Sequence, residues 1–123
     1  MAGRRRIDPE RGRGALASWR DGAAEGASVP RGVLADAVRY TLEEFAAIVP
    51  GNSVEIRVPP FGAVQAVAGP RHTRGTPPNV VQAAPDAWLA LATGQMTWDD
   101  AVTSHRVEAS GARATLAAYL PFA

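Results

Sequence analysis

Apolar positions recur along this chain with two different periods, and the switches between them mark out its elements. From Val29 to Val49 the residues Leu34, Val38, Leu42, Phe45 and Val49 follow one another at spacings of 4, 4, 3 and 4. That is one face of a helix with 3.6 residues per turn. Val33, Ala37, Thr41 and Ile48 widen the stripe, while Arg31, Asp36, Arg39 and Glu43 fall largely elsewhere. Ser28 and Pro30 suit the start of this helix, and Pro50-Gly51 stops it. The period then changes to two. In Ser53 to Val58 the residues Val54, Ile56 and Val58 face one way and Glu55 and Arg57 the other, the signature of a half-buried strand. Pro59-Pro60-Phe61-Gly62 turns the chain, and Ala63 to Ala68 returns as a second strand, antiparallel to the first.

A loop rich in Pro and Gly follows, GPRHTRGTPPN, and runs into a third strand near Asn79 to Ala83. Pro85 opens a helix that turns Trp88, Leu89, Leu91 and Ala92 inward and ends at Gly94. Thr97 caps a second short helix, with Asp100 in the place of a capping-box acid. Arg106 to Ala109 reads as a last strand, and Ala112 to Leu120 as a C-terminal helix stopped by Pro121. Ahead of the regular part, residues 1–28 read as a flexible tail rich in Arg and Gly. Within it, Leu16 and Trp19 sit on one side of a helical turn or two and latch onto the domain formed by residues 29–123.

Composition narrows the chemistry. The 123 residues favour one domain, and 46% of them are apolar. A folded chain of this size hides roughly two-thirds of its unfolded surface. Thirteen basic residues face 12 acidic ones, so neither a nucleic-acid footprint nor a trap for acidic substrates follows. Every basic residue is arginine, which excludes Schiff-base chemistry. No cysteine is present, which excludes disulfides, thiolate nucleophiles and zinc–thiolate sites and agrees with a cytoplasmic location. No apolar run approaches the roughly 18 residues of a membrane span, so stable membrane insertion is not expected. The basic N-terminus lacks the apolar core of a secretory signal.

Candidate chemistry is sparse. The sequence contains no G-x-S-x-G elbow, H-E-x-x-H, G-x-G-x-x-G or P-loop. Asp99 and Asp100 are adjacent and diverge by about 100° on a helix, so they make no acid–base pair. No catalytic residue, metal site or cofactor is expected. His105, at a helix end, reads as a cap. His72 and Arg74, with Arg71, form the one polar cluster worth attention. Arginine forks suit a carboxylate or phosphate at the polar end of a ligand, and they equally suit ion pairs that pin the loop to an acid such as Glu55. The apolar residues Leu34, Val38, Leu42, Phe45, Val58, Phe61, Trp88 and Leu91 either line a ligand cavity or fill a core. Both have the same hydrophobic pattern.

The order helix, hairpin, strand, two short helices, strand, helix, with the run TGQMTWDDAVTSHRVEASGARATLAAYLP, resembles the sterol-carrier-protein type fold. More narrowly, the strand pair VEIRVPPFGAVQ and the loop PRHTRGTPPNVV resemble the bacterial sterol-carrier orthologs, over about residues 30 to 121. The resemblance implies a single α+β domain with a curved mixed sheet of about four to five strands. It also implies helices over one face and an apolar tunnel for a lipid, fatty-acyl or isoprenoid ligand. The module is also similar to the domain that follows the metal-binding bundle of mycothiol-dependent maleylpyruvate isomerases. No such bundle is present here, so its metal chemistry is not carried over. The expectation is a non-catalytic carrier of an apolar small molecule, monomeric or dimeric, with no nucleic-acid partner. The alternative is a protein-interaction or accessory domain of the same fold with a filled core, assisting a separate enzyme.

Overall fold

The structure, a computed structural model, describes residues 6–70 and 79–123. Its elements run α1 (Pro9–Ala24), α2 (Arg31–Ile48), β1 (Val54–Val58), β2 (Gly62–Ala66), β3 (Val80–Ala83), α3 (Pro85–Thr93), α4 (Trp98–Thr103), β4 (Val107–Ser110) and a single 3-10 turn, Ala117–Tyr119. The strands form one mixed sheet in the order β2-β1-β3-β4. β1 pairs antiparallel with β2 and parallel with β3, and β3 pairs antiparallel with β4. The α+β architecture and the four-stranded mixed sheet agree with the expectation from sequence.

Register explains why, among the described residues, one face of the sheet is apolar and packed. Val54, Ile56 and Val58 are opposite Ala66, Val64 and Gly62, and Ile56 is also opposite Val81. This face is the apolar one: Val54, Ile56, Val58, Ala66, Val81, Ala83 and Val107 are all buried. The other face carries Glu55 and Arg57, paired with each other at 2.6 Å, together with Gln65, Gln82 and Glu108. Helix α2 lies against the apolar face, chiefly over β2, and α3 packs on α2.

The segment expected to be a tail is a correction. Asp8 caps a 16-residue helix, its carboxylate accepting from the Arg11 backbone N–H at 3.1 Å, and Pro9 occupies the first turn. Helix α1 buries Gly12, Ala15, Leu16, Trp19 and Gly22. The stripe has helical spacing, but three of its five members are glycine or alanine, so no hydrophobic period announces it. Small residues let the helices approach closely: a Cβ at Gly12 would collide with the Tyr40 side chain of α2. Arg11 reaches Asp36 at 2.8 Å, and Glu43 accepts from the backbone N–H groups of Arg6 and Ile7. These bonds fasten Arg6, Ile7 and Arg11 to α2.

The C-terminal helix is the second correction. Residues after β4 form turns and one 3-10 turn, with no α-helix. The Arg113 N–H is taken by Asn79 Oδ1 at 3.0 Å and the Thr115 N–H by the Arg113 carbonyl at 2.9 Å, which diverts the donors an α-helical ladder would need. Leu116 is fully buried, and beyond it the chain crosses to α3, where the Phe122 and Ala123 N–H groups both donate to the Ala92 carbonyl at 3.0 Å. Elsewhere boundaries move by a residue or two. Thr97 caps α4 as expected, accepting from the Asp100 N–H at 3.1 Å, and Gly94 closes α3 with φ of 80°. Pro30, rather than Ser28, sits at the cap position of α2.

Candidate binding site

The site is built on the middle of α2. Thr41 is fully buried, and its hydroxyl donates back to the Ala37 carbonyl at 2.8 Å while accepting from Trp88 Nε1 of α3, also at 2.8 Å. One hydroxyl thereby satisfies itself and the indole, and no buried side-chain polar atom is left without a partner among the described residues. The bond fixes the indole against Phe45, one turn along α2, with ring centroids 5.9 Å apart and planes at 84°. Phe122 closes the cluster, 5.1 Å from Phe45 and 5.8 Å from Trp88, and Tyr119 lies 6.2 Å from Phe45 on the same side. The three pairs made by Phe45 are edge-to-face, a favoured arrangement.

Phe45 and Trp88 have no solvent exposure, whereas Phe122 is half-buried and Tyr119 is 38% exposed. The C-terminal segment is therefore the layer between the aromatic cluster and water. Beside it lies a groove of about 310 Å³ lined by Gly94, Met96, Thr97, Trp98, Leu120 and Pro121. A second groove, of about 350 Å³, runs between α1, the following loop and α3, with Trp19, Val29, Leu34, Asp86, Ala90 and Arg106 on its walls. There Trp19 Nε1 donates to Asp86 Oδ1 at 2.9 Å, which ties α1 to α3.

The structure brings most of the sequence-derived apolar residues together. Val38, Leu42, Phe45, Val58, Trp88 and Leu91 are buried in one continuous cluster, and Phe61 joins its edge beneath the β1–β2 turn. Leu34 is half-buried and lines the larger groove. His72 and Arg74 lie outside the described residues, as does Arg71. Glu55, considered as a partner for that loop, is bound to Arg57. His105 is exposed, with φ of 60°, and its N–H donates to the Val102 carbonyl. Sequence reasoning missed Tyr119 and Phe122. Both belong to a stretch read as helix or as the residues beyond its stop, where an aromatic residue has no periodicity to reveal its direction. Among the described residues no three His, Asp or Glu side chains gather as metal ligands, and no helix is long and apolar enough to cross a membrane.

A one-faced mixed sheet, helices over its apolar side and a buried aromatic cluster under the C-terminal segment define a small α+β domain of sterol-carrier type. The chain belongs to the family of bacterial SCP (sterol carrier protein) orthologs, whose model matches residues 30–122. Helix α1 precedes the matched region. A search of the curated proteins finds no match.

Proposed function

We propose that this domain binds an apolar small molecule of lipid, fatty-acyl or isoprenoid type and carries it without chemical change. We place the ligand where Leu116–Ala123 now lies against Phe45 and Trp88. The observation that carries the reading is the aromatic cluster: its two fully buried rings are sealed by two partly exposed ones, on a segment that meets α3 through two N–H groups sharing one carbonyl. Membership of the family supports it. The groove at Met96 and Trp98 has Ala117, Leu120 and Pro121 of the same segment on its wall, so displacing that segment would widen it. Each methylene buried there contributes roughly 0.8 kcal/mol, so an acyl chain needs no strong polar contact to bind.

A second reading is favoured by the complete burial of Val38, Phe45, Val58 and Trp88. In it the core is filled, and the fold serves as a protein-interaction or accessory domain. Titration with a fluorescent fatty acid separates the two. A segment that must move reduces apparent affinity by the fraction of molecules in which it is open. Phe122→Ala removes part of the closed state's contacts and is expected to bind about tenfold more tightly than the native chain. Failure of both proteins to bind would support the filled core.

A further inference from the structure

The β1–β2 turn, Pro59-Pro60-Phe61, carries two arginines. The Arg31 guanidinium lies over the Phe61 ring, 5.1 Å from its centroid, and Arg39 Nε donates to the Phe61 carbonyl at 3.3 Å. These side chains come from positions two turns apart on α2, and Phe61 holds both beside the turn. The acids that could neutralise them are engaged elsewhere. Asp36 binds Arg11, and Glu43 accepts from the N–H groups of Arg6 and Ile7. No described carboxylate pairs with Arg31 or Arg39, and both residues are exposed.

We propose that this tip docks on a bilayer surface that displays anionic lipid headgroups. Arginine is suited to phosphate oxygens. Next to Phe61 in the same turn the chain presents Pro59 and Pro60, both exposed. Proline has no backbone N–H, so pressing these rings into the headgroup layer leaves no donor there unsatisfied. A turn that joins two donor-poor proline rings to two cationic side chains fits a lipid surface better than an acidic peptide, which would offer carbonyls needing donors. The docking does not depend on the cargo reading, and either can fail alone.

The test is sedimentation of the full chain with vesicles of phosphatidylcholine alone, or with about one-third phosphatidylglycerol. Retention is expected only with the anionic vesicles, and is expected to fall as salt is raised, because screening shortens the reach of surface charge. The pair Arg31→Gln and Arg39→Gln should weaken binding about thirtyfold, on the scale of two basic residues at a charged surface. Arg113→Gln is the control. It follows Ser110, which is opposite Val80 at the far end of the sheet from the turn, and should stay within about twofold of the native chain. Circular dichroism checks that each variant is folded. Absence of binding, equal binding to neutral vesicles, or equal losses in the control and the double variant would overturn the proposal.

Discussion

Trp88→Ala should lower the free energy of unfolding by about 3–5 kcal/mol, read as a shift in the urea midpoint at unchanged slope. Trp88 is among the largest fully buried side chains, and it is held on three sides: by Phe45, by Phe122 and by the Thr41 hydroxyl. Truncation removes the transfer energy of the indole and leaves a cavity that two aromatic neighbours on separate elements cannot collapse into fully. It also takes the donor away from Thr41. The polar part can be weighed separately. Thr41→Val keeps the shape but leaves Trp88 Nε1 buried without an acceptor, which costs about 1–3 kcal/mol. Adding Trp88→Phe to Thr41→Val should cost less than the two single losses combined, because both delete the same bond. A loss below about 1 kcal/mol for Trp88→Ala would contradict the packed cluster.

The same substitution should have opposite signs at two glycines a half-turn apart on α1. Gly12 faces α2, and a Cβ there would run into Tyr40 Cβ, Cγ and Cδ1. These atoms are close to the Tyr40 backbone and cannot swing aside, so the two helices must separate. Gly12→Ala is expected to destabilise by about 1–3 kcal/mol despite the better helix propensity of alanine. Gly14 has nothing within 4 Å of its would-be Cβ, and Gly14→Ala should stabilise by about 0.5–1 kcal/mol. Thermal melts of the two variants beside the native chain check both signs. If Gly12→Ala left the midpoint unchanged, α1 would not be docked on α2 as described. The result also bears on domain extent, because α1 precedes the region matched by the family and yet places Leu16 and Trp19 in the common core.

Residues 29–70 and 79–110 were largely legible because their signals agree with one another. The alternation of Val54, Ile56 and Val58 and the Pro-Pro turn agree with the β1–β2 register, the Thr97 cap forms its bond, and the α2 stripe is buried or half-buried except at its end, where Ile48 is exposed. The two ends were misread for a physical reason. In α1 the buried face is built from Gly12, Ala15 and Gly22 as much as from Leu16 and Trp19, so contact is made by close approach rather than by large apolar groups. At the C-terminus, Ala112 to Leu120 has good helix formers, but its backbone donors are drawn off by Asn79 and by a local turn, and Leu116 and Phe122 are claimed by tertiary contacts. Propensity is a weak prior where packing competes with it. The apolar residues named from sequence are buried together, as either a core or a pocket would require, and that shared pattern cannot reveal which neighbour covers them. Sealing depends on Tyr119 and Phe122, which carry no period.

Native mass spectrometry of the freshly purified chain, followed by organic extraction, tests the carrier reading most directly. The expected result is a population heavier than the 12.9 kDa chain by the mass of a lipid, with the added mass recovered in the organic phase. A single bare mass, in a protein that also refuses a panel of fatty acids and isoprenoids, would contradict it and leave the filled-core reading in its place.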